Sequence, residues 1–528
     1  MYYTSVMRRL GVALALAVVL VAAALLIGNK NRPAVLRPDK LNVVLISVDS
    51  VRADHMGLFG YGRDTTPNID AWAKDGIVFG NNFSTSFLTP ISEMSVHTGN
   101  YPFTSGVINF QSVLRDSVPT MAQIFKSNGM QTAAFLSSPE FYNYPALKAG
   151  FTRGFDTYVL SSASDTKYYQ HGGNPVADAI AWIDGHNREQ FFLWVAIGSA
   201  HWPYGQDEPN HFSDPAYDGF LNTDDVKRTG MTWRDNLGFA YRGVLYSTTT
   251  PVRSVGSVGK EDIDYVNGRY DDGLVLTDRI VGELFDYIKK TGLADRTVVI
   301  LQSEHGETLG ERGYIAHYDI YDETVHTPLI IKMPALAGRR IETLTSGVDV
   351  LPTVLSLLRI PAPVVDGVDL SPFFTGATST QPRREVYLSR TPLWERLFSS
   401  TFQGRAIFLP SSMPIESTAW AQFVTADNKE HYYDTAIRTE KWKLIHRLAR
   451  TALLKYSWWG WLTGKPVVLP EYELYDLAND PGETRNIYSA HAHDADIVAL
   501  RAKLEDWEVK MRGATPGPTP VQEIQPYF

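Results

Sequence analysis

Runs of apolar residues divide the chain into alternating strands and helices. The run at 43–48 is continuous, rich in β-branched residues and followed by Asp49, a pattern typical of a strand buried in a parallel sheet. Similar runs predict strands at 132–136, 191–197, 297–301 and 328–332. Apolar residues recur at helical spacing from 118 to about 127 and from 274 to 290. The alternation predicts an α/β sandwich with a mostly parallel sheet flanked by helices.

The pattern changes beyond about residue 375. Segments 438–445 and 473–477 have the composition of short antiparallel strands, and 494–511 has the apolar spacing of a closing helix. We therefore expect a main domain over 41–375 and a smaller α+β subdomain with an antiparallel sheet over 376–528.

The first 40 residues have a different character. Residues 10–28 carry no charge and would form a helix about 28 Å long, close to the hydrocarbon thickness of a bilayer. This predicts a tail at 1–9, a transmembrane helix at 10–28 and a linker at 29–40. A cleaved signal peptide is the alternative, but the apolar run continues past the small residues at 22–24.

Composition narrows the class of protein. The chain has 528 residues, of which 44% are hydrophobic, and its net charge of −9 argues against nucleic acid as a partner. It contains no cysteine, which excludes disulfides and thiolate metal sites.

Polar residues follow three of the predicted strands. Asp49 ends the first, His201 follows the strand at 191–197, and Glu304 and His305 follow the strand at 297–301. Carboxyl ends of parallel strands meet at one edge of a sheet, where functional groups collect. Carboxylate oxygens and imidazole are ligands for divalent cations, so Asp49, Glu304 and His305 are candidate metal ligands.

The ordered motifs resemble those of the sulfatase family within the alkaline phosphatase superfamily. The resemblance covers nearly all of residues 41–512, and its motifs lie at 42–55, 65–70, 98–102, 303–307, 321–329 and 473–483. It implies an alkaline-phosphatase-like fold with a sulfatase-like catalytic domain over 41–375.

The resemblance also implies roles for individual residues. One divalent cation (Ca, Mg, Mn or Zn) is expected on Asp49, Glu304 and His305, with the oxygen of Thr89 beside it as nucleophile. His201 matches a histidine that contacts the substrate or protonates the leaving group. His317 and His326 fall at substrate-binding positions.

The sequence departs from the family pattern at several of these positions. Thr89 stands where sulfatases carry a cysteine or serine that becomes formylglycine, and Glu93 stands where a cation is expected. A carboxylate there would repel an anionic ester unless it were paired, protonated or turned away. Ser50 replaces a second aspartate, and Glu304 replaces a shorter one. Asp207 and His211 have a spacing used in two-metal relatives, but Pro209 between them favours a loop.

A threonine ester lacks the second hydroxyl through which formylglycine hydrate expels sulfate, so Thr89 favours phosphate. We expect a metal-dependent hydrolase or transferase of phosphate mono- or diesters that forms a covalent Thr89 intermediate. The alternatives are a sulfatase that works without formylglycine and a catalytically silent binding or assembly subunit.

The expected setting is the cell membrane. The expected substrate is a phosphate or sulfate ester, with lipid-linked and glycan-linked esters as candidates, and a membrane-protein partner is compatible with the anchor. We expect the catalytic domain on the periplasmic side, as in the family, although four basic residues after the apolar run outnumber the two before it, which by the positive-inside rule favours the opposite orientation.

Overall fold

A computed structural model describes most of the chain beyond residue 39. The described residues are 40–109, 112–137, 145–161, 174–201, 204–205, 209, 211–218, 239–241, 244–246, 254–257, 259–312, 315–317, 319–374, 385–390, 434–447 and 470–514. The predicted anchor and most of the linker lie outside them. Within the described ranges, no helix combines the length and apolar character needed to cross a bilayer.

The largest sheet has eight strands in the order β13-β2-β12-β9-β1-β5-β3-β4. Its strands are β1 (Asn42–Val48), β2 (Ile77–Phe83), β3 (Gln131–Leu136), β4 (Thr157–Leu160), β5 (Phe191–Ile197), β9 (Thr297–Gln302), β12 (Leu329–Lys332) and β13 (Arg339–Ser346). Every pairing is parallel except those of β12, which runs antiparallel to β2 and β9. The predicted α/β class and mostly parallel sheet are confirmed.

The remaining strands of the described residues form three smaller sheets. Three strands pair as β6 (Phe239–Tyr241), β7 (Val244–Tyr246) and β8 (Ser254–Ser257), and two as β10 (Thr308–Leu309) and β11 (Ile315–Ala316). The antiparallel sheet predicted for the C-terminal part is confirmed with four strands, β14 (Val386–Arg390), β15 (Asp434–Arg438), β16 (Trp442–His446) and β17 (Tyr472–Asp476). The domain boundary near residue 375 stays a prediction.

Helices connect and cover these sheets. The α-helices are α1 (Pro67–Ala73), α2 (Thr89–Thr98), α3 (Pro102–Ser105), α4 (Met121–Ser127), α5 (Pro145–Phe151), α6 (Pro175–His186), α7 (Lys260–Lys290), α8 (Asp322–Val325), α9 (Val350–Leu357), α10 (Ser371–Phe374), α11 (Tyr488–His491) and α12 (Ala495–Ala514). Short 3₁₀ helices occupy Ala53–His55, Gly57–Phe59, Leu293–Arg296 and Gly347–Asp349.

Strand β1 defines the two faces of the large sheet. Val44, Ile46 and Val48 belong to a core cluster with residues of α1, α6 and α7. Side chains alternate along a strand, so Ser47 points to the opposite face, where it hydrogen-bonds to Glu93 of α2. The sheet is therefore covered by α7 on one side and α2 on the other.

Helix α7 begins 14 residues before the predicted start, at Lys260 rather than 274. Its first half carries Arg269, Asp271 and Asp272, which an amphipathic pattern assigns to solvent, yet all three are buried. Their charges are paired within the fold: Arg269 lies 2.9 Å from Asp272, and Asp271 lies 2.7 Å from Arg63. Pairing removes most of the cost of burial and lets the helix continue.

A buried ion network, defined here by Asp319, Asp434 and Glu473 around Arg447, joins the segment after β11 to the four-stranded sheet. The Arg447 guanidinium lies 2.7 Å from Asp319, 2.9 Å from Glu473 and 3.2 Å from Asp434. Burial raises the pKa of Asp319, but the guanidinium groups of Arg447 and Arg390 outweigh it and lower that pKa to about 2. The network fixes the segment that follows His317.

Candidate functional site

Strands β1, β5 and β9 end together at the edge where the candidate residues lie. The register pairs Val48 with Ile197 and Ser47 with Gln302. Asp49 therefore leaves β1 beside the segments that carry His201 and Glu304. This convergence is the geometry that the strand-end pattern predicts.

Thr89 reaches the same edge from α2, of which it is the first residue. It is fully buried, and its Oγ1 lies 2.9 Å from Nε2 of His305. The first turn of a helix has backbone N–H groups without partners inside the helix and a positive end of the helix dipole. An anion placed on the Thr89 oxygen would therefore be stabilised by the backbone of α2.

The protonation of His305 follows from its partners. Its Nδ1 lies 2.9 Å from the carbonyl of Gly306, which can only accept, so Nδ1 carries the proton. In the neutral ring Nε2 then keeps its lone pair and faces both Thr89 and Asp49, whose Oδ1 is 3.6 Å away. The Thr89 hydroxyl accordingly donates to His305.

Each acid around His305 has one buried oxygen that is left without a hydrogen bond. Asp49 Oδ2, Glu304 Oε2 and Glu307 Oε2 are buried and accept no hydrogen bond. Burial, followed by the charges of Asp49 and Glu93, raises the pKa of Glu304 well above its usual range. Burying carboxylates without compensation costs several kcal/mol per ion, on the order of a whole domain's margin of stability. A bound cation would offset this cost by neutralising the charge of the acids.

The donor set fits a divalent cation. Asp49, Glu304 and His305 each offer one ligand atom, and the three atoms lie within 4.8 Å of one another. Two carboxylates with one imidazole accept Zn or Mn readily, and Ca or Mg through the oxygens. The role of these three residues as ligands stays a prediction that the orphaned oxygens support.

Glu307 and Tyr204 line the site but were not assigned from the sequence. Tyr204 donates a 2.8 Å hydrogen bond to Glu307 Oε1. Burial raises the pKa of Glu307 to about 7, although His201, Tyr204 and Ser50 act in the opposite direction. Glu307 stands two residues after His305, and this position near the end of a predicted strand is the feature of the sequence that could have identified it as a site residue.

His201 and His317 come together beside this group. Their Nε2 atoms are 3.3 Å apart, and the rings of His317 and His305 have centroids 4.2 Å apart. His317 Nδ1 lies 2.8 Å from the carbonyl of Phe87 and so carries a proton. With His317 neutral, its Nε2 accepts and His201 Nε2 donates.

His326 lies apart from the other predicted site residues. Its Nε2 is 3.0 Å from the carbonyl of Gly80, and its ring stacks on Phe83 with centroids 5.1 Å apart. Burial lowers the pKa of His326, which favours the neutral ring. The substrate-binding role of His326 and that of His317 stay predictions.

Glu93 contacts the sheet through both of its carboxylate oxygens. It accepts hydrogen bonds from Ser47 at 2.7 Å and from Gln302 at 2.8 Å, and His97 Nε2 lies 3.3 Å away. Both donors belong to strands, so Glu93 ties α2 to β1 and β9. The carboxylate is therefore satisfied by neutral donors of the sheet, while its charge still contributes to the raised pKa of Glu304.

Ser50 has a left-handed backbone with φ of 63° and donates a 3.0 Å hydrogen bond to Asp49 Oδ1. The Ser50 hydroxyl orients the Asp49 carboxylate. An aspartate at position 50 could not donate this hydrogen bond when ionised, and its charge would repel Asp49. Asp207 lies outside the described residues. The backbone N–H of His211 donates to Asp272 at 3.0 Å, which places this histidine in a structural turn.

Comparisons with known proteins identify the family of this chain. The family model described as Sulfatase matches residues 41–360. An ulvan-active sulfatase of Formosa agariphila is 24% identical over 384 residues, which cover 67% of this chain and 69% of that protein. An N-acetylglucosamine-6-O-sulfatase of Bacteroides thetaiotaomicron is 21% identical, over 94% of this chain and 91% of that protein.

Solved structures share the fold. A phosphonate monoester hydrolase of Agrobacterium radiobacter superposes with a TM-score of 0.61 at 21% identity, over 90% of this chain and 95% of that one. The alkaline-phosphatase-like architecture implied by the sequence is therefore confirmed. Because the family model spans more than half of the chain, this protein is a hydrolase of the sulfatase family, within the alkaline phosphatase superfamily.

Proposed function

We propose that this protein cleaves phosphate mono- or diesters with Thr89 as a covalent nucleophile. The observation that carries the proposal is the 2.9 Å contact between Thr89 Oγ1 and His305 Nε2, at the start of α2 and among acids that each have one buried oxygen without a hydrogen bond. A divalent cation held by Asp49, Glu304 and His305 would lower the pKa of the Thr89 hydroxyl and neutralise charge on the ester.

In the first step, Thr89 Oγ forms a bond to phosphorus while its proton is released to water. The bond between phosphorus and the leaving oxygen breaks, and that oxygen takes a proton. His201 is the donor that we assign, because its Nε2 carries the proton shared with His317. In the second step, water or another alcohol attacks phosphorus and releases Thr89, which gives hydrolysis or transfer respectively.

Threonine at position 89 is the reason for choosing phosphate. A threonine ester has one oxygen on its β-carbon. A hydrated aldehyde has a second hydroxyl there and can expel the ester group as the aldehyde re-forms, but threonine cannot. Displacement at phosphorus by a second nucleophile needs no such exit and is assisted by positioning and electrostatic stabilisation.

A sulfuric ester is the second candidate, and the curated relatives favour it. They include ulvan-active, N-acetylglucosamine-6-O- and choline-sulfatases. In that case Thr89 would act without formylglycine, and sulfate would leave by direct attack of water.

The proposed setting is a membrane surface. The apolar run at 10–28 would anchor the chain, with residues 41–528 on the extracytoplasmic side and a lipid- or glycan-linked ester within reach. Fractionation of cells that express the whole chain, followed by protease treatment of intact spheroplasts, tests this. Recovery in the soluble fraction, or protection from the protease, would contradict the setting.

The proposed chemistry is tested with aryl phosphate, phosphodiester and aryl sulfate substrates, each with Mg, Ca, Mn or Zn added to metal-free protein. We expect turnover of a phosphate ester that requires a cation. Thr89→Ala should lower kcat by on the order of 10³-fold or more, while Thr89→Ser, which keeps the nucleophile, should retain most of it. Sulfate turnover alone would select the second candidate. Full activity in Thr89→Ala would reject both, and inactivity of the wild type on every substrate would favour the silent binding subunit.

A further inference from the structure

The turn that follows β1 contains a strained residue next to Asp49. Ser50 is fully buried and has a left-handed backbone with φ of 63°. Glycine adopts this conformation readily, whereas a residue with a Cβ adopts it at a cost in energy. Such strain persists only where the surrounding structure over-determines the conformation, and it collects at functional sites. The contacts that hold Ser50 therefore bear on the geometry of Asp49.

The hydroxyl of Tyr270 holds this turn from α7. It donates a 2.7 Å hydrogen bond to the carbonyl of Ser50 and accepts a 2.9 Å hydrogen bond from the backbone N–H of Arg52. One hydroxyl thus satisfies two backbone groups on either side of Val51. All of these residues are buried, and buried backbone groups need partners. The Tyr270 hydroxyl therefore fixes the path of the backbone from Ser50 to Arg52.

The ring of Tyr270 is itself held by its neighbours. Its centroid lies 5.4 Å from that of Tyr204 and 5.1 Å from that of His55, and both contacts are edge-to-face. Removal of the hydroxyl leaves these ring contacts in place. Tyr270→Phe therefore alters the hold on the turn and preserves the packing of α7.

The left-handed conformation of Ser50 has a consequence for the candidate ligands. Ser50 Oγ donates to Asp49 Oδ1 at 3.0 Å, a bond that glycine could not make, and Asp49 Oδ1 lies 3.6 Å from His305 Nε2. The turn is also joined directly to the segment of His305. Ser303 Oγ accepts from the N–H of Val51 at 2.9 Å and donates to the His305 carbonyl at 2.7 Å.

We propose that Tyr270 is a positioning residue for the cation site, because its hydroxyl holds Ser50 in the conformation that orients the Asp49 carboxylate. This inference rests on the proposed function, in which Asp49, Glu304 and His305 bind the cation. Loss of a group that orients a metal ligand typically weakens metal binding by about 10- to 100-fold. Helix α2 thus presents the nucleophile from one face of the large sheet, and α7 orients the first ligand from the other.

The test is Mn²⁺ binding to the metal-free full-length protein, with free Mn²⁺ measured by electron paramagnetic resonance and folding checked by circular dichroism. Tyr270→Phe should weaken Mn²⁺ binding by about 10- to 100-fold. Tyr475→Phe is the control, because it also removes a buried tyrosine hydroxyl, one that donates to Glu473 of the ion network at 2.9 Å. The control should bind Mn²⁺ as the wild type does.

Ser50→Gly distinguishes a positioning role from a general role in packing. Glycine adopts the left-handed conformation without support. Tyr270→Phe should therefore weaken Mn²⁺ binding by a smaller factor in the Ser50→Gly background than in the wild type. Two independent effects would instead multiply without such coupling.

Wild-type affinity in Tyr270→Phe would overturn the proposal, as would an equal factor in both backgrounds, an equal loss in Tyr475→Phe, or failure of Tyr270→Phe to fold. If Tyr270→Phe binds Mn²⁺ weakly but Thr89→Ala keeps full activity, the positioning role stands and the proposed nucleophile fails. If Tyr270→Phe binds normally and Thr89→Ala is inactive, the reverse holds. A wild type that binds no Mn²⁺ would overturn this inference together with the metal role in the proposed function.

Discussion

Two groups of buried acids in this protein differ in what neutralises them. In the ion network, Asp319, Asp434 and Glu473 surround Arg447 at 2.7 to 3.2 Å. Around His305, buried oxygens of three acids accept no hydrogen bond. Glu483 Oε1 also accepts none, but it has Lys443 Nζ at 2.9 Å. The fold thus supplies cations to one group of acids, whereas each acid of the other keeps a buried oxygen without a hydrogen bond, and this difference separates a structural cluster from a candidate site.

The ion network should be the more sensitive of the two groups to the loss of a charge. Arg447→Met removes a cation that three acids share. Asp434 and Asp319 keep Arg390 at 2.5 and 3.9 Å, but Glu473 loses its cation partner, and breaking a buried pair typically costs about 3–5 kcal/mol. Urea unfolding should show this as a lower midpoint with an unchanged slope. Lys503→Met is the control, because its ion pair with Glu385 is exposed; it should change stability by less than about 1 kcal/mol. A similar loss in both variants would contradict a special role for the network.

Addition of a cation should have the opposite effect on the site. A ligand that binds only the folded protein stabilises it by about 2.7 kcal/mol at 100 times its Kd, so thermal unfolding of metal-free protein should shift upward with Mn²⁺ or Zn²⁺. Asp49→Asn should lose most of this shift. It should also be at least as stable as the wild type without metal, because its amide can donate to Glu304. A variant that is less stable and still responds fully to metal would show that Asp49 is structural.

Glu93 is hydrogen-bonded to the sheet, although it stands four residues from Thr89. Glu93→Gln keeps the shape but places an amide against two donors, and we expect a loss of about 2 kcal/mol with kcat within a few-fold of the wild type. Glu93→Arg, which restores the cation expected in the family, should prevent folding at this buried position. Measurements of stability and kcat on the same samples separate these effects. Higher activity in Glu93→Arg would show that this side chain faces the substrate.

The pH dependence of stability should have opposite signs in the two groups. The pKa of Asp319 is lowered to about 2, so its contribution is present above the unfolded pKa near 3.8 and is lost as pH falls towards 2. The pKa of Glu307 is raised from 4.5 to about 7, so metal-free protein should lose on the order of 1 kcal/mol or more as pH rises through that interval. Glu307→Gln should flatten the second change alone. An identical profile in Glu307→Gln would contradict the assignment.

The strand ends could be predicted from sequence because they depend on local pattern. Asp49, Glu304 and His305 follow apolar runs that form β1 and β9 almost as predicted. Strands β2 and β13 escaped prediction because Gly80-Asn81-Asn82 and Arg339-Arg340 interrupt their apolar character. The direction of β12 was also open, since a short apolar run has the same pattern in either orientation.

Contacts between distant segments could not be predicted. The rotation of Glu93 towards Ser47 and Gln302 is set by the packing of α2 on the sheet, which one helix sequence does not encode. The contact of His201 with His317 joins residues that are 116 positions apart in the sequence. His326 has the sequence context of a binding residue, yet the crossing of its segment with β2 places its ring against Phe83.

The central claim is that Thr89 carries the transferred group. Protein mixed with a phosphate ester and a cation, quenched in acid within the first turnovers and digested, should yield a peptide heavier by one phosphoryl group, with fragmentation that locates the group on Thr89. The same peptide from His201→Asn should accumulate more slowly, and the Thr89→Ala peptide should remain unmodified. A phosphoryl group on another residue, or rapid turnover with no adduct at any quench time, would contradict the account.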